Sequence, residues 1–152
     1  MDGWPFSRRE RESGAAPDYY KEGLKLAGKG KHHEALTSFR LALKERPEDA
    51  EIMQQMALVY THIGLPDEAI RCYEDCLEVT ETAPAAHYGL AFLYLHRGDV
   101  GNARLHLKAF LREPPADENA AAHVEHALAT LRRLSGGASA DESVSGSGEG
   151  VT

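Results

Sequence analysis

The chain repeats itself every 34 residues, and that interval limits its possible folds more than any other feature. Gly30, Gly64 and Gly98 keep the interval, as do Ala35, Ala69 and Ala103. The same register aligns Leu26, Tyr60 and Tyr94; Gly23, Ala57 and Ala91; and Phe39, Tyr73 and Leu107. It also aligns Ala42, Cys76 and Phe110, and Leu43, Leu77 and Leu111. Pro47 and Pro115 match across two periods, with Glu81 in the slot between. A period of this length signals stacked supersecondary units, each unable to bury its apolar face alone.

Each column has a physical reason. The small residues at 23, 57 and 91 let the first helix of a unit approach the second closely, and the large residues at 39, 73 and 107 fill the seam beside them. The glycines fall where a first helix ends and the chain turns, the place for a left-handed residue that a Cβ would penalise by about 1 kcal/mol. Pro47 and Pro115 close second helices, because proline cannot continue one. Asp67 and Asp99 follow the turns as candidate helix caps, with Pro66 suited to a helix start.

These columns resemble the tetratricopeptide repeat (TPR) family over residues 16–117. The resemblance implies three repeats, 16–49, 50–83 and 84–117. His32, Pro66 and Val100 stand where the family often holds an aromatic before the second helix, and Phe110 stands where it usually holds alanine. Beyond the repeats, "ENAAAHVEHALATLRRL" puts Ala120, Val124, Ala127, Leu128, Leu131 and Leu134 on one face at helical spacing. Residues 118–134 are therefore expected to cap the stack, giving an all-α helical-repeat solenoid of about seven helices. Residues 135–152, rich in glycine, serine and acids, and the leader 1–15, which carries Trp4 and Phe6, are expected to be disordered.

The family implies a concave face lined by first helices. Its positions here are Tyr20, Gln54 and Tyr88; Leu24, Leu58 and Phe92; Lys21, Gln55 and Gly89; Ala27, Thr61 and Leu95; and Gly28, His62 and His96. The expected groove is apolar and aromatic with amide fringes. One TPR subclass grips a C-terminal carboxylate through lysine, arginine and asparagine; the matching positions here are Tyr20, Leu24, Gln55, Ala85 and Gly89, none of which forms charge-assisted bonds to a carboxylate. The expected ligand is instead a hydrophobic segment of a protein partner on Tyr20, Lys21, Leu24, Gln54, Gln55, Leu58, Thr61, His62, Tyr88, Phe92, Leu95 and His96. The alternative for several of these residues is packing between neighbouring first helices.

Other chemistry finds little support. Cys72 and Cys76 share a helix face at i and i+4, but no second pair completes a zinc site, the spacing is not C-x-x-C, and Cys76 occupies a core column. His123 and His126 are read as a solvated face, His32 and His33 as an exposed helix start, and His62 and His96 as a pair near the groove edge that could make binding pH-sensitive. No phosphate loop, nucleophile elbow or acid–base pair is recognisable, so no enzyme activity, metal or cofactor is expected. A net charge of −7 argues against nucleic-acid binding. With no signal-like or membrane-spanning apolar run and two cysteines, a cytoplasmic protein is expected, monomeric in preference to stacked end to end. The expected role is a non-enzymatic protein-interaction adaptor; the alternative resembles the short acidic TPR chaperones of bacterial type III secretion, which shield hydrophobic clients.

Overall fold

Three glycines turn the chain in the same way. Gly30, Gly64 and Gly98 have φ of 76°, 78° and 86°, and among the described residues no non-glycine residue has a positive φ. At each turn the glycine N–H reaches back three residues, to the carbonyls of Ala27, Thr61 and Leu95. The next N–H reaches back five, from Lys31, Leu65 and Asp99 to Leu26, Tyr60 and Tyr94, at 2.9 Å in every case. This paired bond is the Schellman closure that a left-handed residue permits. The Leu26/Tyr60/Tyr94 column thus supplies the carbonyl of each closure as well as a side chain.

In this computed structural model the described residues are 16–145, with side chains described to 136. They form seven helices: α1 (Tyr19–Gly28), α2 (His32–Glu45), α3 (Ala50–His62), α4 (Pro66–Val79), α5 (Pro84–His96), α6 (Val100–Arg112) and α7 (Ala120–Ser145). No strand occurs among them. The leader with Trp4 and Phe6, and residues 146–152, lie outside the described residues.

Helix starts follow local chemistry. Asp18 caps α1 by accepting from the Lys21 N–H, and Asp49 caps α3 by accepting from Glu51 and Ile52. Asp99 caps α6 through the Asn102 N–H at 3.1 Å, as expected. Asp67 differs: α4 begins at Pro66, so Asp67 lies inside the first turn, where its charge suits the helix dipole. Helices α2 and α6 end at Glu45 and Arg112, shortly before Pro47 and Pro115.

The chain divides between Cys72 and Tyr73 into two units, within α4. In the first unit α1 packs on α2, α2 on α3, and α1 also meets α3. In the second, α5 packs on α6 and α6 on α7. Four columns of the repeat supply the core: Gly23, Ala57 and Ala91; Ala35, Ala69 and Ala103; Phe39, Tyr73 and Leu107; and Ala42, Cys76 and Phe110 are all buried.

The last helix departs from expectation at both ends. It starts at Ala120 and runs past 134 to Ser145, since a helix already nucleated adds one hydrogen bond per residue ordered. Ala127 is buried, and Val124, Leu131 and Leu134 pack with it against Ala91, Leu107 and Phe110. Leu128 keeps 37% of its surface exposed, and buried Thr130 takes a place in the seam, its hydroxyl bonded to the His126 carbonyl at 2.8 Å.

Candidate partner-binding surface

In the first unit the expected groove residues sit on two neighbouring helices. Leu24 on α1 and Leu58 on α3 are 38% and 43% exposed. Tyr20, one turn before Leu24, is half-buried; its ring lies 6.0 Å from Phe39, Arg46 stands 5.7 Å over it, and its hydroxyl donates to Glu51 at 2.7 Å. Burial, with that carboxylate contact second, pushes the phenol well above its ordinary range. Lys21 is exposed, and Gln54 and Gln55 are half-buried. Thr61 and His62 turn back on their own helix: the Thr61 hydroxyl donates to the Ala57 carbonyl, and His62 Nδ1 bonds the Leu58 carbonyl at 2.8 Å.

The second unit treats the equivalent positions differently. Tyr88 and Phe92 on α5 are half-buried and in contact with α7. The Tyr88 hydroxyl meets His126 Nδ1 at 2.7 Å, His123 stands edge-on to the Tyr88 ring at 4.9 Å, and His126 stacks on Phe92 at 4.6 Å with an interplanar angle of 4°. Phe110 closes the cluster, 5.1 Å from Tyr88. His123 and His126 are exposed, as expected, and are also aromatic partners of α5. Leu95 is half-buried and His96 exposed. Gly89 is no open groove position: a Cβ there would lie 2.5 Å from the Tyr73 ring.

Two further histidine contacts escape a reading by exposure alone. His32 is half-buried, its ring 5.5 Å from His62, and its Nδ1 is buried without a hydrogen-bond partner. His87 and His106 face each other from α5 and α6, with Nδ1 atoms 3.0 Å apart. The register held a signal for this pair. His87 aligns with buried Met53, and His106 aligns with buried Ser38 and half-buried Cys72. That alignment also gives Cys72 a repeat position, in an inward-facing column. Among the described residues no group of three or more histidine, cysteine or acidic side chains could hold a metal, and no helix is long and apolar enough to cross a membrane.

Helix pairs repeated at one interval and turned by one glycine geometry define an all-α helical-repeat protein, an architecture whose faces serve as recognition surfaces. Residues 55–118 match the family model described as tetratricopeptide repeat. Over this stretch the chain resembles the tetratricopeptide repeat proteins. It is 30% identical over 103 residues to the photosystem I assembly protein Ycf3 of Prochlorococcus marinus, covering 66% of this chain and 58% of that one. It therefore spans little more than half the length of the curated relatives it matches. Among solved structures it resembles the Yersinia enterocolitica type III secretion chaperone SycD in complex with a peptide of the translocator YopD, with a TM-score of 0.72, 15% identity, and coverage of 87% of this chain and 97% of that one. It also resembles PcrH in complex with the chaperone binding region of PopD, with a TM-score of 0.70, 19% identity and coverage of 87% and 96%.

Proposed function

We propose that this protein is a non-catalytic adaptor that holds a hydrophobic segment of a partner polypeptide on the α1–α3 face of its first unit. The observation that carries the reading is the exposure of Leu24 and Leu58 on adjacent first helices, beside Tyr20, while Tyr88 and Phe92 are half-buried and engaged by α7 histidines. Apolar side chains in such positions are completed by a partner's apolar side chains. Gln54, Gln55 and Lys21 flank them and suit a backbone or a polar edge.

A second reading makes the chain a type III secretion-class chaperone. What favours it is size: SycD and PcrH are matched over 96–97% of their length. Under that reading one hydrophobic exported client co-purifies in a defined ratio; under the adaptor reading the chain is recovered within a larger assembly.

The test is affinity capture by the intact chain beside a Leu24→Glu, Leu58→Glu variant, read by mass spectrometry, with circular dichroism confirming equal helix content. Loss of the captured partner from the variant is expected; undiminished capture overturns the assignment to this face. Phe92→Glu is a poorer probe, because Phe92 also seats α7.

A further inference from the structure

The closest contact between α5 and α6 that could change with acidity is the histidine pair. His87 and His106 have ring centroids 5.3 Å apart and Nδ1 atoms 3.0 Å apart, so both nitrogens lie between the rings, pointing at each other. Chelation of one ion needs lone pairs that converge at an angle. Two nitrogens aimed head-on suit a shared proton instead. One ring donates Nδ1–H and the other accepts through the Nδ1 lone pair, which places the acceptor's own proton on Nε2.

We propose that His87 and His106 form an acid-sensitive latch between α5 and α6, closed while the pair carries at most one extra proton and opened by the second. The proton count follows from the geometry. A first added proton goes to the free Nε2 of the donor ring; the Nδ1–H···Nδ1 bond survives and becomes charge-assisted. A second has only the acceptor's Nδ1 to occupy. It converts the bond into two N–H groups facing each other at 3.0 Å, with two like charges in a half-buried seam.

The surroundings oppose that second charge. From α6, Arg112 acts on His87, and burial is the larger influence on both rings, holding each below the ordinary histidine value of 6.5. From α4, only Glu74 favours charge on His106, and its carboxylate already accepts from the Tyr94 hydroxyl at 2.7 Å. From α5, the Tyr94 ring stacks on His106 at 5.7 Å and 6°, fixing its plane. On α7, His123 and His126 are engaged with Tyr88 and Phe92. Protons have a route to the pair: His87 lines a cavity of about 320 Å³ walled by Thr82, Pro84, Ala109, Arg112, Glu81 and Glu113.

The sign is fixed by the direction of the shifts. The unfolded chain binds protons at these histidines near 6.5, and the folded chain binds them only at lower pH. Stability from the pair is therefore complete above about pH 6.5 and lost as pH falls through the lowered folded values.

The experiment uses the full chain and two readouts. Long-range proton–nitrogen correlation across the imidazole rings, followed from pH 8 to 4.5, is expected to show opposite tautomers for His87 and His106 at high pH. Their titrations are expected to be linked and to lie below the ordinary histidine value of 6.5. Thermal unfolding at pH 7.5 and 5.5 is expected to show a smaller acid loss of midpoint for His106→Phe than for the unaltered chain, while His96→Gln behaves like the unaltered chain. Independent titration of both rings at the ordinary histidine value of about 6.5, or an equal acid loss in His106→Phe, overturns the proposal. If His106→Phe does not fold, the ring titrations of the unaltered chain decide alone.

Discussion

At the scale of single residues, glycine has two unlike jobs in this chain. Gly64 stands in open space with φ of 78°, so a side chain there meets nothing but its own backbone strain. Gly23 is a helical glycine pressed by a ring: a Cβ would lie 2.5 Å from Phe39, which is fully buried and has nowhere to retreat. Alanine gains about 1 kcal/mol of helix propensity over glycine inside a helix, against about 1–3 kcal/mol for overpacking. Gly23→Ala is therefore expected to destabilise by up to about 2 kcal/mol net despite its better propensity, and Gly64→Ala by about 1 kcal/mol for conformational reasons alone. Urea unfolding of the two variants measures both. The repeat register made both glycines legible, because one recurs as glycine and the other as a small residue. Gly89 was not legible: its column reads Lys21, Gln55, Gly89, and only the position of the Tyr73 ring shows why a side chain is excluded there.

At the scale of elements, α7 is a packed helix whose stripe is narrower than its sequence. Leucine and alanine recur at helical spacing from 120 to 134, yet Leu128 falls outside the seam and Thr130 inside it. A hydroxyl that bonds its own helix's carbonyl four residues back hides its polarity, which hydropathy alone does not register. Ala127→Asp places an unpaired carboxylate at a fully buried point facing Leu107 and Phe110. It is expected to cost several kcal/mol and to raise amide hydrogen exchange in α6 and α7. Leu128→Asp, at a site 37% exposed, is expected to cost about 1 kcal/mol, clearly less than Ala127→Asp. His123 and His126 are exposed as read, yet they also contact the α5 aromatics, because imidazole is polar enough for a surface and flat enough to stack on Phe92.

At the scale of the whole molecule, the helical-repeat class was readable because a 34-residue period tests dozens of positions at once, and chance cannot satisfy them all. The candidate surface was readable only in part. Register says which residues line first helices, but whether another helix engages them depends on packing, and α7 engages Tyr88 and Phe92 while Leu24 and Leu58 stay open. The chain carries a charge of −7 and the proposed surface rests on leucine and tyrosine. Partner affinity is therefore expected to change by less than about threefold between 50 and 200 mM salt, where a phosphate-gripping surface loses about 10³ or more. Isothermal titration at the two salt concentrations checks it. One slot of the repeat says something further. Tyr60 accepts from Arg40 at 2.9 Å in the first unit, and Tyr94, one period later, donates to Glu74 at 2.7 Å in the second. Arg40 and Glu74 are themselves one period apart. A phenol can serve as either end of a hydrogen bond, so the same scaffold position tolerates a cation in one copy and an anion in the next. The ancestry of such a chain can reverse the charge beside this column without disturbing the turn that the same residue's carbonyl closes.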